Sequence, residues 1–358
     1  MTDFPRLLSL ATAVPPFVLN QTEVAAQARE LFAHRARDID RLMPVFAHAG
    51  IETRHSCVPL EWYRNAADWK QRNSIYVDSA VDLLAEAASN CLEQAGTVVD
   101  EVDAIITVST TGIATPSLDA LLMDRLAFRR DAMRLPVFGL GCAGGVLGLS
   151  RAGSFASAMP GKKVLLLVVE LCALTFRPDD LSKSNVIAAA LFGDGAAAAL
   201  VGTSPSPAST HIQPALTAAG EYTWPDSLDV MGWHIENDGF GVLFSKDIPG
   251  IIGERFGPAL DGFLRRNGLK RSELDDFVCH PGGTKVLAAL EAVLGLPDGA
   301  MSDARDVLRN YGNMSAATVM FVLERALKRQ TEQAGTAGKM LMSSLGPGFS
   351  AAFQVLES

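Results

Sequence analysis

Pro136-Val-Phe-Gly-Leu-Gly-Cys142-Ala-Gly-Gly145 is a short apolar run that ends in a glycine turn. Val146-Leu-Gly-Leu-Ser-Arg-Ala-Gly-Ser-Phe-Ala156 follows at once with the composition of a small-residue helix. A strand passing through a glycine turn into a helix is the elementary step of a layered α/β fold. Here the turn carries a thiol. A cysteine just before a helix N-terminus faces unpaired N–H groups and the positive end of the helix dipole, which favour its thiolate. Glycines on both sides let a substrate carbonyl come close and leave backbone donors free for an oxyanion. Taken by itself, Cys142 also reads as a buried structural cysteine.

The same rhythm extends in both directions. Val77, Ala80, Val81, Leu84, Ala87, Ala88, Cys91 and Leu92 have helical spacing within Tyr76–Gly96, and Gly96 stops the helix. The pattern then predicts strand Val102–Ser109, helix Leu118–Phe128, strand Pro136–Leu140, helix Ala143–Ala158, strand Lys163–Val169 and strand Gly195–Gly202. Thr203–Ser209, with two prolines and three serines, reads as a linker. Beyond it come helix Gly253–Asn267, strand Asp276–Cys279, helices Gly283–Leu294 and Ser315–Lys328, and strands Met340–Leu345 and Ala351–Leu356 around a Gly-Pro-Gly turn. Alternating strands and helices predict a largely parallel sheet covered on both faces. Two halves follow, residues 1–205 with the cysteine and 206–358.

Composition narrows the function. Lys plus Arg number 31 against 40 Asp plus Glu, a formal charge of -9, which argues against nucleic acid or an anionic membrane as the main partner. The longest apolar run, Val164–Val169, meets Glu170 far short of a bilayer span, and Met1-Thr-Asp-Phe-Pro-Arg6 has no signal-peptide character. Cys57, Cys91, Cys142, Cys172 and Cys279 are odd in number and lack paired spacing, the pattern of reduced thiols in a cytoplasmic protein.

Two further residues share the setting of Cys142. His280 ends the apolar run Asp276-Phe-Val-Cys-His and precedes Pro281-Gly-Gly283, which opens a helix; Asn313 lies in Tyr311-Gly-Asn-Met-Ser-Ala-Ala-Thr318 at a glycine turn before another. In open α/β sheets the ligand crevice forms at such ends. A cysteine attacks an acyl carbonyl as thiolate, an imidazole can hold that thiolate, and His and Asn donors together can bind an enolate oxygen. Singly, His280 also reads as a structural histidine and Asn313 as a turn or N-cap residue.

Gly-Cys142-Ala-Gly-Gly, Leu191-Phe-Gly-Asp-Gly195, His280-Pro-Gly-Gly, Tyr311-Gly-Asn-Met-Ser-Ala and Gly346-Pro-Gly resemble the ordered motifs of type III polyketide synthases, the chalcone-synthase-like branch of the thiolase fold. The likeness runs from about residue 75 to the C-terminus. It implies a five-layered αβαβα subunit of two thiolase-like halves, acting as a homodimer on acyl-CoA and malonyl-CoA. Cys142 would load the acyl group, while His280 and Asn313 polarise the malonyl thioester. No metal or redox cofactor is implied, because decarboxylation generates the carbanion. Ketoacyl-ACP synthase III enzymes also use Cys, His and Asn, but the His280-Pro-Gly-Gly run fits the polyketide branch better. A non-catalytic acyl-binding subunit of the same fold is the rival from another class.

The resemblance also implies substrate-binding positions. Phe192 matches a phenylalanine bordering the acyl pocket, and Val242 falls at a second such position, with Phe240 or Phe244 able to compensate. Cys172, Thr175 and Thr111 match cavity-lining positions, as does the Gly346-Pro347-Gly348 turn. Thr115 replaces a methionine that reaches into the partner's cavity. Arg41 matches one cation for coenzyme A phosphates, Pro44 and His48 replace two others, and Arg35 and Arg37 are possible substitutes. Val242, Thr115 and the Cys172 run tilt the reading toward a long-chain acyl starter and an alkylpyrone or alkylresorcinol product.

Overall fold

The computed structural model describes residues 4–33, 39–65, 67–206, 212–245, 247–333 and 338–358. Arg35 and Arg37 lie outside the described residues. The first part of the chain runs β1 (Arg6–Ala13), β2 (Phe17–Asn20), α1 (Gln21–Ala33), α2 (Ile39–Leu42), α3 (Pro44–His48), β3 (Thr53–Ser56), α4 (Trp69–Gln94), β4 (Val102–Val108), α5 (Leu118–Arg125), β5 (Met133–Val137), α6 (Gly144–Ala158), β6 (Lys163–Leu171), α7 (Lys183–Leu191) and β7 (Asp194–Gly202). It continues with β8 (Ala215–Thr223), β9 (Met231–Glu236), β10 (Gly239–Phe244), α8 (Ile248–Ile251), α9 (Gly257–Arg266), β11 (Asp276–Cys279), α10 (Thr284–Leu294), α11 (Ser302–Tyr311), α12 (Thr318–Glu332), β12 (Lys339–Gly346) and β13 (Ser350–Glu357).

Nine strands form one sheet in the order β11-β12-β13-β8-β1-β7-β6-β4-β5. Its two halves join where Arg6 of β1 pairs with Ala215 of β8. Successive side chains of a strand point to opposite faces, so a strand buried on both sides is apolar throughout. In β6, Val164, Leu166 and Val168 join the core built by α6 and α12, whereas Leu165, Leu167 and Val169 join the core under α4. On the far side of the second half, Phe263 of α9 stacks on Phe353 of β13 at 5.1 Å. The order helix, sheet, paired helices α6 and α12, sheet, helix is the expected five-layered αβαβα fold. Among the described residues no helix is long and apolar enough to cross a membrane.

The sheet is mixed, which corrects the expectation of a largely parallel one. Among the described strands, β4–β5, β4–β6 and β11–β12 pair in parallel and the rest antiparallel. β7 returns antiparallel between β6 and β1, and β13 antiparallel between β12 and β8. β1 and β8 carry no strand prediction, and their absence hides those reversals. β5 also ends at Val137, so Phe138–Leu140 belongs to the loop before Cys142 rather than to a strand. The stretch read as a linker falls partly on 207–211, outside the described residues.

Candidate active site

Cys142 is the middle residue of a tight turn, Gly141–Ala143, that leads directly into α6. The turn is held from three directions. Gly141 N donates to Thr110 Oγ1 at 3.2 Å, Ala143 N to Leu140 O at 3.1 Å, and Ser344 Oγ from β12 to Cys142 O at 2.5 Å. The glycine after the cysteine has a packing reason rather than the expected substrate-approach one. A methyl group on Gly145 would stand 2.3 Å from Ala316 O and 2.7 Å from Val319 Cγ1. Gly145 thus lets α6 touch the start of α12. Gly346 plays the corresponding part in the opposite wall: a Cβ there would lie 2.6 Å from Ala143 Cβ and 2.7 Å from Leu140 O.

His280 follows the last residue of β11, and its N–H extends the sheet by donating to Ser343 O at 2.9 Å. Its ring is buried, and neither Nδ1 nor Nε2 has a hydrogen-bond partner. Buried polar atoms are nearly always paired, so an imidazole with two open nitrogens against a cavity stands out among the buried side chains. Asn313 is oriented instead of open. Ser315 N donates to Asn313 Oδ1 at 2.8 Å, which turns Nδ2 toward Gly282 O at 3.3 Å and the His280 loop. The main chain of Asn313 is pinned as well, Asn313 N donating to Leu191 O at 2.8 Å and Gly193 N to Asn313 O at 3.1 Å.

Behind the cysteine lies a carboxyl that the sequence reading did not single out. Glu170, at the end of β6, is fully buried. Its Oε2 accepts from Thr110 N at 2.9 Å and Thr111 Oγ1 at 2.8 Å, and its Oε1 has no partner. Burial pushes Glu170 up to about 7 against the pull of those donors. The Ser315 hydroxyl eases ionisation of both Glu170 and Cys142. Ser315 holds a left-handed backbone at φ 46, uncommon for a residue with a side chain.

The expected low thiol pKa does not follow from the site taken group by group. Burial pushes Cys142 up to about 12, with Glu170 adding to the rise, and burial pushes His280 down to about 3. Neither ionises alone in so dry a place. Were the Sγ proton to pass to the imidazole, both charges would arise at once with no change in the net charge of the pair, and two opposite charges close together offset one another's desolvation.

Cys142, His280 and Asn313 line one cavity of about 550 Å³. Its walls are largely apolar, including Val186, Ile187, Leu191, Phe244 and Ile248, and exposed Arg41, His48, Lys183 and Lys285 border it. Lys183 and Lys285 escaped the sequence reading, although Lys285 stands only five residues beyond His280. Among the described residues no cluster of His, Cys, Asp or Glu could hold a metal ion.

The remaining expected residues are spread around this cavity. Phe192 and Cys172 are buried together beside it, with Val242, Trp233 and Phe244 packed against them. They also line a small apolar chamber under α1 with Ala28, Leu31 and Phe176. Phe244, not Val242, borders the Cys142 cavity, and it meets the Phe192 ring edge-on at 5.8 Å. Thr111 and Thr175 face a separate small cleft beside Gly112 and Phe240. The Thr111 hydroxyl is already committed, donating to Glu170 and accepting from Leu171 N at 2.9 Å. Gly346 and Pro347 buttress the cysteine turn, and Gly348 adjoins Thr223. Thr115 is exposed in the loop before α5.

Two family models match the chain, the N-terminal domain of chalcone and stilbene synthases over residues 5–205 and their C-terminal domain over residues 215–358. The match therefore begins well before residue 75. A 1,3,6,8-tetrahydroxynaphthalene synthase of Streptomyces peucetius subsp. caesius is 38% identical over 345 residues, 96% of this chain and 91% of that one. The crystal structure of the 1,3,6,8-tetrahydroxynaphthalene synthase of Streptomyces coelicolor A3(2), a bacterial type III polyketide synthase, superposes with a TM-score of 0.91 at 28% identity, covering 98% of this chain and 99% of that one. A polyketide synthase from the brown alga Ectocarpus siliculosus superposes with a TM-score of 0.90 at 26% identity, covering 99% and 98%.

Proposed function

This chain belongs to the chalcone and stilbene synthase family, condensing acyltransferases of the type III polyketide class, and we propose that it loads its acyl starter on Cys142 and extends it with malonyl-CoA. The observation that carries the reading is the convergence of a cysteine, an open imidazole and an oriented carboxamide on one cavity bordered by cations.

Each step has a group to perform it. The Cys142 sulfur attacks the thioester carbonyl of acyl-CoA, its proton passes to His280, and the coenzyme A thiolate leaves with that proton. Malonyl-CoA then loses carbon dioxide, and the electron pair of the broken bond becomes an enolate. His280, neutral at physiological pH, offers one ring N–H to the enolate oxygen, and Asn313 Nδ2 offers another. The enolate carbon attacks the acyl carbonyl on Cys142, a carbon–carbon bond forms, and the thiolate is released for the next round. Arg41, Lys183 and Lys285 suit the coenzyme A phosphates.

Several finer points belong to the same proposal. The starter is a fatty acyl group and the product an alkylpyrone or alkylresorcinol. The apolar packing of Cys172 and Phe192 against Phe244 and Leu191, which border the reacting cavity, supports this. The molecule acts as a homodimer. Among the described residues β5 is an edge of the sheet, and Met133 at its start and Phe138 just beyond it are 44% and 58% exposed. Incubation with an acyl-CoA should add one acyl mass to the Cys142 peptide, and label on Cys57, Cys91, Cys172 or Cys279 instead would refute the nucleophile. Cys172→Phe should shorten the longest starter accepted while leaving acetyl-CoA turnover in place. A wild type that prefers acetyl-CoA to every longer starter would refute the fatty acyl assignment.

A further inference from the structure

Arg54 lies in β3, far along the chain from every residue named in the reaction, and is only 3% exposed. Its two terminal nitrogens hold the end of α7, while its Nε is buried without a partner. Nη1 donates to Ala189 O at 2.8 Å and Phe192 O at 2.9 Å, Nη2 donates to Ala190 O at 2.8 Å, and Gln21 Oε1 takes a second bond from Nη2. Gln21 Nε2 itself donates to Ala190 O at 3.0 Å and Phe46 O at 3.1 Å. The last carbonyls of a helix have no partner within it, and a cation there also meets the negative end of the dipole. Burial lowers Arg54 to about 10, so it stays charged at neutral pH.

One carbonyl in this set is left for another use. Leu191 O accepts from Asn313 N at 2.8 Å, and two residues on, Gly193 N donates to Asn313 O at 3.1 Å. Phe192, between them, forms a parallel bridge with Asn313. Arg54 therefore grips the middle residue of the short segment on which the Asn313 main chain rests. The same helix presents Lys183, Val186, Ile187 and Leu191 to the reacting cavity.

We infer that Arg54 is a positioning residue for the condensation: through the Leu191–Gly193 segment it sets where the Asn313 carboxamide sits. This rests on the reading of Asn313 as an enolate donor. A planar fork reaching three carbonyls is a task that a lysine ammonium, a single point of charge, does not fill.

The test is a double-mutant cycle of Arg54→Lys and Asn313→Ala, read by malonyl-CoA decarboxylation and by the rate of Cys142 acylation in mass spectra. Arg54→Lys should lower the kcat of decarboxylation at least about tenfold with acylation changed less than about threefold. In the Asn313→Ala background it should change decarboxylation by less than about twofold, because the group it positions is gone. Equal effects of Arg54→Lys in both backgrounds, or acylation falling in step with decarboxylation, would overturn the inference. Should Arg54→Lys not fold, Gln21→Leu, which removes the side chain bound to Nη2, goes through the same cycle under the same criterion. A wild type that does not decarboxylate malonyl-CoA would instead overturn the functional reading beneath it.

Discussion

Replacing His280 by glutamine should change how Cys142 responds to pH, and the structure gives the size of the change. Burial, with Glu170 adding to the rise and Ser315 opposing it, pushes the thiol up to about 12. Such a thiol is ionised to roughly one part in 100,000 at pH 7 and one in 1,000 at pH 9, so its alkylation climbs about tenfold per pH unit. In the proposed mechanism the imidazole takes that proton instead. That transfer involves no exchange with bulk water, so the ion-pair population is flat between the two titrations of the pair. The assay is iodoacetamide labelling from about pH 6.5 to pH 9, followed by mass spectrometry of the Cys142 peptide. The wild type should show a slope of log rate against pH below about 0.3, and His280→Gln a slope near 1, with labelling at pH 7 slower by at least about tenfold. Slopes near 1 in both proteins would mean that the imidazole does not share the proton. A plateau in both would mean that the helix N-terminus suffices without it.

Asn313→Ala removes one donor to the developing enolate and should cut malonyl-CoA decarboxylation about 100- to 1,000-fold while Cys142 still acylates; unchanged decarboxylation would take Asn313 out of the site. Glu170 titrates near 7 in the fold against an ordinary value of 4.5, so its neutral form contributes stability that is complete below pH 4.5 and lost as pH rises through 7. The loss is on the order of 3 kcal/mol at most, and urea unfolding at acid and neutral pH should show a smaller decline for Glu170→Gln than for the wild type, equal declines counting against a buried protonated carboxyl. Gly346→Ala drives a methyl into Ala143 and Leu140 O, and should cost about 1–3 kcal/mol of stability along with most condensation activity at a temperature where the variant remains folded, as measured by thermal unfolding and product formation; wild-type turnover would show that the turn tolerates displacement.

The three residues proposed to react are legible in the sequence because each is announced locally. Cys142, His280 and Asn313 all close a strand or loop with a glycine beside them and a helix ahead, and those are features of adjacent residues. What surrounds them depends on register and strand direction, which adjacent residues do not encode. Thr111 illustrates this: its place near the reaction was inferred from position, yet its hydroxyl is consumed by Glu170 and Leu171 across the β4–β6 pair. Val242 and Phe244 differ only in which residue of β10 reaches the cavity. The antiparallel placement of β7 and β13 was hidden because an alanine-rich run such as Ala196–Ala199 reads as a strand of either sense. Lys285 is the opposite case, being readable in the His280-Pro-Gly-Gly-Thr-Lys run.

The two central helices explain why residues from distant parts of one chain, those proposed to react, meet at one cavity. α6 and α12 each begin after a short tight turn, Gly141–Ala143 in one case and Ser315–Ala317 in the other. Cys142 belongs to the first turn, and Asn313 stands two residues before the second. The distance between Cys142 and the Asn313 carboxamide is therefore set by how closely the helix starts approach, and Gly145 against Ala316 O sets that approach. His280 enters from a third element, β11, aligned by its bond to Ser343. A close-packed interior transmits small displacements rather than absorbing them. Widening the α6–α12 contact should thus separate Cys142 from Asn313 even if each keeps its own turn intact, and activity should be lost before the fold is.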